Sequence, residues 1–268
     1  MEVKKALTIA GSDSGAGAGI QADLKTFAAR DVYGTSVIAA ITAQNTRGVS
    51  GVLELPLEII GKQLDAVLSD IGTDAAKTGM LSSAEIITLV SEKVRQWRID
   101  RLVVDPVMVA KGGDRLLRED AVAALKEKLL PLALVLTPNL PEAEVLVGHE
   151  VRTREQMERA AREIVAMGVQ NVVIKGGHSE GEPTDLLFDG RVFTSYAAER
   201  IESRNTHGTG CTFSAAIAAE LAKGLSVPDA VQEAKQYITE AIRRAPDIGD
   251  GHGPLNHFPG GVRPVSGA

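Results

Sequence analysis

The sequence is poor in aromatic residues, in positive charge and in cysteine. Phe, Trp and Tyr make up 3% of its 268 residues, which argues against a row of base-stacking side chains. The net charge of −6 argues against a nucleic-acid partner, because such surfaces need basic patches that neutralise phosphates. The single cysteine, Cys211, excludes an intrachain disulfide and is typical of a reducing compartment.

Long hydrophobic runs are also missing. No apolar stretch approaches the ~20 residues that would span a bilayer, and the run Ala6–Ala10 is too short for the core of a signal peptide. We therefore expect a cytoplasmic protein with no membrane partner. Without repeats or an interior linker, one domain over residues 1–268 is the simplest expectation. Its Gly- and Pro-rich tail, residues 249–268, is expected to be partly disordered.

Short apolar runs alternate along the chain with longer amphipathic segments. The predicted strands are Ala6–Ala10, Ser36–Thr42, Ala75–Lys77, Leu102–Val104, Leu134–Leu136 and Val172–Ile174. The predicted helices lie near Ile20–Arg30, Leu57–Ser69, Ser83–Gln96, Ala121–Leu129, Pro141–Leu146 and Arg154–Met167. This repeated alternation predicts an α/β fold with a mostly parallel sheet covered on both faces.

The pattern changes after Lys175. Asp189-Gly190 separates Leu186–Phe188 from Val192–Tyr196, which predicts a β-hairpin. Two further helices are predicted, near Thr212–Lys223 and Pro228–Ala245.

Small and polar residues follow each of the six predicted strands. They form the loops that begin at Gly11, Ala43, Thr78, Asp105, Thr137 and Lys175. Carboxyl ends of parallel strands meet at one edge, where open α/β folds bind their ligands. We therefore expect the functional site at this edge.

The most informative motif is Asn-Thr-His-Gly-Thr-Gly-Cys, residues 205–211, which leads into an Ala-rich helix. Its glycines and the helix N-terminus favour a phosphate or a developing anion. Taken alone, the motif fits a glycine-capped helix with a buried cysteine equally well.

A second glycine-rich loop, Gly11–Gly19, follows a strand and precedes a helix. It lacks the Gly-Lys-Ser/Thr of a Walker A loop and the Gly-x-Gly-x-x-Gly of a dinucleotide fold. A nicotinamide oxidoreductase is thus a weak alternative, and a tight turn over a bound small molecule fits better.

Asn139 and Glu142 open a predicted helix and admit two interpretations. They form either a capping box or, with Asp105, oxygen ligands of Mg²⁺ on a nucleotide. Lys175 similarly lies beside phosphates or merely ends a strand. The five histidines, His149, His178, His207, His252 and His257, show no zinc-ligand spacing, and most are interpreted as surface or loop residues.

These segments together resemble the ribokinase-like superfamily and, within it, the hydroxymethylpyrimidine/phosphomethylpyrimidine kinases of thiamine synthesis. The matching segments are Ala10–Asp23, Thr42–Gly48, Lys77–Leu81, Val104–Ala110, Thr137–Glu144, Lys175–His178 and Asn205–Ala218. The resemblance implies a three-layer α/β/α fold, a homodimer and ATP as donor. It also implies phosphorylation of 4-amino-5-hydroxymethyl-2-methylpyrimidine and then of its monophosphate.

The resemblance also implies roles for individual residues. The pyrimidine would be read by Gln44, whose amide carries a donor and an acceptor, and packed by Met80 and Val107. Gly11 and Asp23 would lie near the substrate's polar groups. The phosphoryl group would be held by Gly208, Thr209, Gly210 and Cys211. Lys175, Asn139 and Thr209 would contact ATP, and Glu142, Asp105 and Asn139 would place Mg²⁺.

Cys211 stands where most ribokinase-like sugar kinases have Asp. A carboxylate there would repel the phosphorylated second substrate, whereas a thiol can be neutral, or a thiolate if the helix lowers its pKa. We hypothesise that Cys suits an enzyme that accepts a phosphate monoester.

Two alternatives stay open at this point. One is a pyridoxal kinase of the same superfamily, in which Cys211 near an aldehyde could form a hemithioacetal. The other is a non-catalytic metabolite-binding protein on this fold.

Overall fold

A nine-stranded sheet forms the centre of the chain in a computed structural model that describes residues 2–108, 119–177 and 183–261. The strands are β1 (Lys5–Asp13), β2 (Tyr33–Asn45), β3 (Gly48–Glu54), β4 (Ala75–Thr78), β5 (Leu102–Val104), β6 (Val135–Leu136), β7 (Asn171–Ile174), β8 (Thr184–Phe188) and β9 (Phe193–Ala197). Their spatial order is β3-β2-β1-β4-β5-β6-β7-β8-β9. The strands from β2 to β7 in that order pair in parallel, while β3, β8 and β9 join through antiparallel pairs.

Helices cover both faces of the sheet. They are α1 (Gly19–Ala29), α2 (Leu57–Asp70), α3 (Ala84–Gln96), α4 (Glu119–Ala124), α5 (Leu140–Val147), α6 (Arg154–Ala166), α7 (Thr209–Ala222) and α8 (Val227–Arg243). One apolar core joins the sheet to α2–α6, and a second joins it to α1, α7 and α8. This is the predicted three-layer α/β/α arrangement.

Helix α7 is the most deeply buried of the helices described. Every residue from Thr212 to Ala222 is buried, because small Ala side chains let α1, α8 and the sheet approach it from all sides. Its N-terminus is therefore held rigidly at the edge of the sheet.

The predicted elements are confirmed with boundary shifts, and there are two differences. Strand β3 was not predicted, because nearly all its residues are exposed and give no hydrophobic period. The helix predicted over Ala121–Leu129 is α only to Ala124 and continues as a π-helical turn, Leu125–Leu129.

The tail of residues 249–268 was expected to be partly disordered, and this stays a prediction. Residues 249–261 lie against the body of the protein, with Leu255 and His257 buried. The rest of the predicted tail, 262–268, and His178 lie outside the described residues. Among the helices in the described ranges, none is long and apolar enough to cross a membrane.

Candidate active site

The loop that leads into α7 packs directly on the glycine-rich loop after β1. Gly208 has a φ of +81°, and a Cβ there would lie 1.8 Å from the carbonyl oxygen of Gly17. Only glycine fits both the left-handed backbone and this close approach. No described side chain caps α7, and its N-terminus therefore carries partial positive charge that attracts an anion. The two glycine-rich loops thus meet at a helix N-terminus suited to an anion.

Lys175, Asp105 and Glu142 meet beside this helix N-terminus. Lys175 Nζ lies 3.0 Å from Asp105 Oδ1 and 3.9 Å from Glu142 Oε2. A Cβ on Gly210 would lie 3.2 Å from Lys175 Nζ and 3.6 Å from Asp105 Oδ2. The ends of β5 and β7 therefore bring Asp105 and Lys175 to the first turn of α7, and Glu142 joins them from the start of α5. Contact of these residues with ATP or Mg²⁺ stays a prediction.

The charges of this cluster perturb one another. Burial raises the pKa of Glu142 to about 7, although Lys175 opposes the shift. Burial alone would lower the pKa of Lys175, but the carboxylates of Asp105 and Glu142 outweigh it and raise that pKa. Lys175 is thus a firmly protonated ammonium that can face an incoming phosphate.

Asn139 and Glu142 form the capping box that the sequence offered as one of two interpretations. Asn139 Oδ1 accepts from the Glu142 amide at 2.8 Å, and Glu142 Oε2 accepts from the Asn139 amide at 2.8 Å. The Asn139 oxygen is therefore already engaged. Within the described residues, no group of three or more His, Cys, Asp or Glu side chains forms a metal cage.

Asp23, which was expected near the substrate's polar groups, is the partner of a buried lysine. Its carboxylate is fully buried, 3.0 and 2.9 Å from Lys77 Nζ, and accepts from Thr8 Oγ1 at 2.6 Å. Lys77 is also fully buried, so the pair is sealed beneath the site. Asp23 therefore holds Lys77 through an ion pair, and its contact with substrate stays a prediction.

Cys211 lies above this pair in the first turn of α7. Burial raises the pKa of its thiol to about 11, against the opposing charge of Lys77, and the carboxylates of Asp105 and Asp23 raise it further. The structure therefore favours the neutral thiol over the thiolate.

Gln44 is held by contacts with both glycine-rich loops. Ser14 Oγ lies 2.8 Å from its backbone nitrogen and 2.7 Å from its carbonyl oxygen. Its side-chain nitrogen lies 3.2 Å from His207 Nε2, and its side-chain oxygen lies 3.0 Å from Thr42 Oγ1. The amide predicted to read the pyrimidine is thus fixed at the end of β2.

Two further residues of this site were missed by the sequence reasoning. His207, interpreted as a loop residue, places Nε2 2.9 Å from Asp13 Oδ2. Asp13 also accepts from the backbone amides of Gly15, Gly17 and Ala18. A signal for both was present, since His207 lies inside the motif of residues 205–211 and Asp13 lies inside the glycine-rich loop Gly11–Gly19.

The apolar residues predicted to pack the ring lie at the same edge. A Cβ on Gly11 would lie 2.7 Å from the methyl carbon of Met80, so glycine makes room for that side chain. Val107 is half-buried in the tight turn after β5, where its amide donates to the Asp105 carbonyl at 2.9 Å. Contact of Met80 and Val107 with substrate stays a prediction.

An anion-binding helix N-terminus, a protonated lysine and two carboxylates are the parts that phosphoryl transfer requires. They stand at the carboxyl edge of a three-layer sheet and beside a fixed amide that can recognise a small ring. Fold and site together define a small-molecule phosphotransferase of the ribokinase-like class.

Comparison with known proteins places the chain within this class. A family model described as phosphomethylpyrimidine kinase matches residues 13–256. The hydroxymethylpyrimidine/phosphomethylpyrimidine kinase of Bacillus subtilis is 51% identical over 96% of both chains, and that of Rhizobium meliloti is 56% identical over 94% of this chain and 96% of its own. The chain belongs to the phosphomethylpyrimidine kinase family.

Some relatives are longer. The thiamine biosynthesis bifunctional protein ThiED of Geobacter sulfurreducens is 55% identical over 94% of this chain, which spans 52% of that protein. The match to that relative therefore concerns about half of its length.

Solved structures agree on the fold. Phosphomethylpyrimidine kinase from Clostridium difficile has a TM-score of 0.81 and 47% identity, covering 89% of this chain and 99% of its own. An ADP complex of Bacillus subtilis pyridoxal kinase has a TM-score of 0.90 and 44% identity, covering 96% of this chain and 98% of its own. The backbone alone thus does not separate the two activities, whereas relatives of about 50% identity carry the pyrimidine kinase name.

Proposed function

We propose that this chain transfers the γ-phosphoryl group of ATP to 4-amino-5-hydroxymethyl-2-methylpyrimidine and then to the resulting monophosphate. The proposal rests on the position of Lys175 and Asp105 beside the first turn of α7, which no described side chain caps. The chain is also 51% identical to a kinase that is named for both steps. A non-catalytic binding protein has no need of this arrangement.

Each step is a displacement at the γ-phosphorus. An oxygen of the acceptor forms the new P–O bond, and the bond from the γ-phosphorus to the bridging oxygen breaks as ADP leaves. The backbone amides of Gly208–Cys211 and the ammonium of Lys175 stabilise the charge on the transferring group. The first acceptor loses its hydroxyl proton to water, whereas the second attacks as an ionised phosphate oxygen.

The neutral Cys211 thiol supports acceptance of that second substrate. A carboxylate at this position would place a negative charge at the mouth of the anion site. The raised pKa of Cys211, about 11, keeps the first turn of α7 free of such a charge at neutral pH.

We further propose Mg²⁺ on the nucleotide. Asp105 and Glu142 offer the hard carboxylate oxygens that Mg²⁺ prefers, and few protein ligands are needed where phosphates supply the rest. Bound there, the ion would neutralise phosphate charge. Asn139 fits less well, because its side-chain oxygen is already the acceptor in the capping box.

A homodimer is also proposed. Ile41, Val52, Leu53, Leu57 and Ile59 are large apolar residues that are exposed on β2, β3 and the start of α2. An apolar surface that continues along an edge strand favours burial against a second copy.

The test of the activity is ADP release from Mg-ATP with four acceptors in parallel: the hydroxymethylpyrimidine, its monophosphate, pyridoxal and ribose. We expect turnover on both pyrimidines. Turnover on pyridoxal alone would move the assignment to a pyridoxal kinase, and no turnover on any acceptor would overturn the proposal.

A further inference from the structure

The C-terminal segment of residues 249–257, which we name the strap, runs between the two halves of the site. Its first contacts are with the turn after β2, two residues beyond Gln44. The amide of His252 donates to the carbonyl of Thr46 at 2.8 Å, and the amide of Gly251 donates to Thr46 Oγ1 at 3.2 Å. One end of the strap is therefore anchored beside the pyrimidine-reading strand.

The middle of the strap contacts the phosphate-binding loop. The carbonyl of Gly253 accepts from the His207 amide at 3.0 Å, within a short parallel bridge between His207 and Pro254. A Cβ on Gly253 would lie 2.3 Å from Asn205 Oδ1, so the strap lies flat on the first residue of the motif. These contacts fix the backbone immediately before Gly208.

The far end of the strap reaches the underside of α7. His257 is buried, its Nε2 lies 3.1 Å from Thr212 Oγ1, and its carbonyl accepts from Tyr237 Oη at 2.7 Å. Thr212 directly follows Cys211. Burial lowers the pKa of His257 to about 4, so a neutral ring makes this contact at neutral pH.

We propose that the strap is a positioning element for catalysis, which holds the end of β2 and the loop 205–211 in one register through Gly253 and His257. The inference rests on the proposed kinase activity. Both the acceptor-reading amide and the anion-binding turn then depend on contacts made by one C-terminal segment. Misplacement of a catalytic loop by ~1 Å is enough to lower turnover by about 100-fold.

Gly253→Ala tests the proposal, with Gly260→Ala as the matched control, because a Cβ on Gly260 meets no atom within 4 Å. We expect Gly253→Ala to lower kcat/KM for both pyrimidine acceptors at least ten-fold, with the KM for ATP within two-fold of wild type. Gly260→Ala should match wild type. A folded Gly253→Ala protein with wild-type kinetics, or with equal losses for ATP and acceptor, would overturn the proposal.

A second pair of variants keeps the test decisive if Gly253→Ala does not fold. His257→Leu removes the partner of Thr212, whereas His257→Gln offers a side-chain amide in its place. We expect the kcat loss in His257→Leu to be largely rescued in His257→Gln at similar melting temperatures. Equal activity in both variants would contradict the positioning role of the strap. An inactive wild type would instead contradict the proposed kinase activity.

Discussion

The buried Asp23–Lys77 pair gives the sharpest prediction about how the site is supported. Both side chains are fully buried, and Lys77 Nζ lies within 3.0 Å of both carboxylate oxygens. Removing one partner leaves an uncompensated charge, which costs about 3–5 kcal/mol in such settings. Lys77→Met and Asp23→Asn should each lose about this much unfolding free energy, equivalent to roughly 5–10 °C in Tm for a chain of this size.

The double variant distinguishes a structural role of Asp23 from direct contact of Asp23 with substrate. With both charges gone, most of the lost stability should return, because a neutral pair carries no uncompensated charge. The assay is urea unfolding of the four proteins, together with the acceptor KM of the double variant. Additive losses, or single variants within about 1 kcal/mol of wild type, would refute the reasoning. A recovered stability with a greatly raised acceptor KM would instead restore Asp23 to direct contact.

Three further predictions concern the site itself. Gln44→Ala should weaken pyrimidine binding and leave ATP binding nearly intact by calorimetry; equal losses for both ligands would remove Gln44 from the reading role. Cys211→Asp should impair phosphorylation of the monophosphate more than that of the alcohol, and an equal effect on both steps would contradict the charge argument. The raised pKa of Glu142, about 7, means that the folded protein binds its proton more tightly than the unfolded chain. The Tm of wild type relative to Glu142→Gln should therefore fall from pH 5 to pH 8, and a constant difference would exclude this titration.

Much of the fold could be predicted from the sequence, because buried parallel strands appear in it as short runs of apolar residues. Strand β3 could not, since it is exposed along nearly its whole length and has no apolar face to mark it. The position of the strap could not be predicted from the sequence for another reason. Its contacts are largely those of backbone groups with residues distant in the sequence, such as Thr46 and His207, which composition does not reveal.

The candidate site was predictable where a residue's chemistry follows from its loop, as with Lys175, Glu142 and the Gly-Thr-Gly turn. The burial of Asp23 could not be predicted, because a sequence does not show how deeply a residue lies in the fold. Only the structure shows Lys77 beneath the site as its partner. The role of His207 was missed because its contact with Asp13 joins loops that are 194 residues apart in the sequence.

The central claim is that one anion site at the start of α7 serves both phosphorylations. It is tested most directly by ³¹P NMR of the hydroxymethylpyrimidine with excess Mg-ATP, for wild type and for Gly208→Ala with its fold checked by circular dichroism. We predict that wild type forms first the monophosphate and then the paired doublets of the diphosphate, and that Gly208→Ala slows both steps by a similar factor. A wild type that stops at the monophosphate, or a variant that slows only one step, would contradict the account.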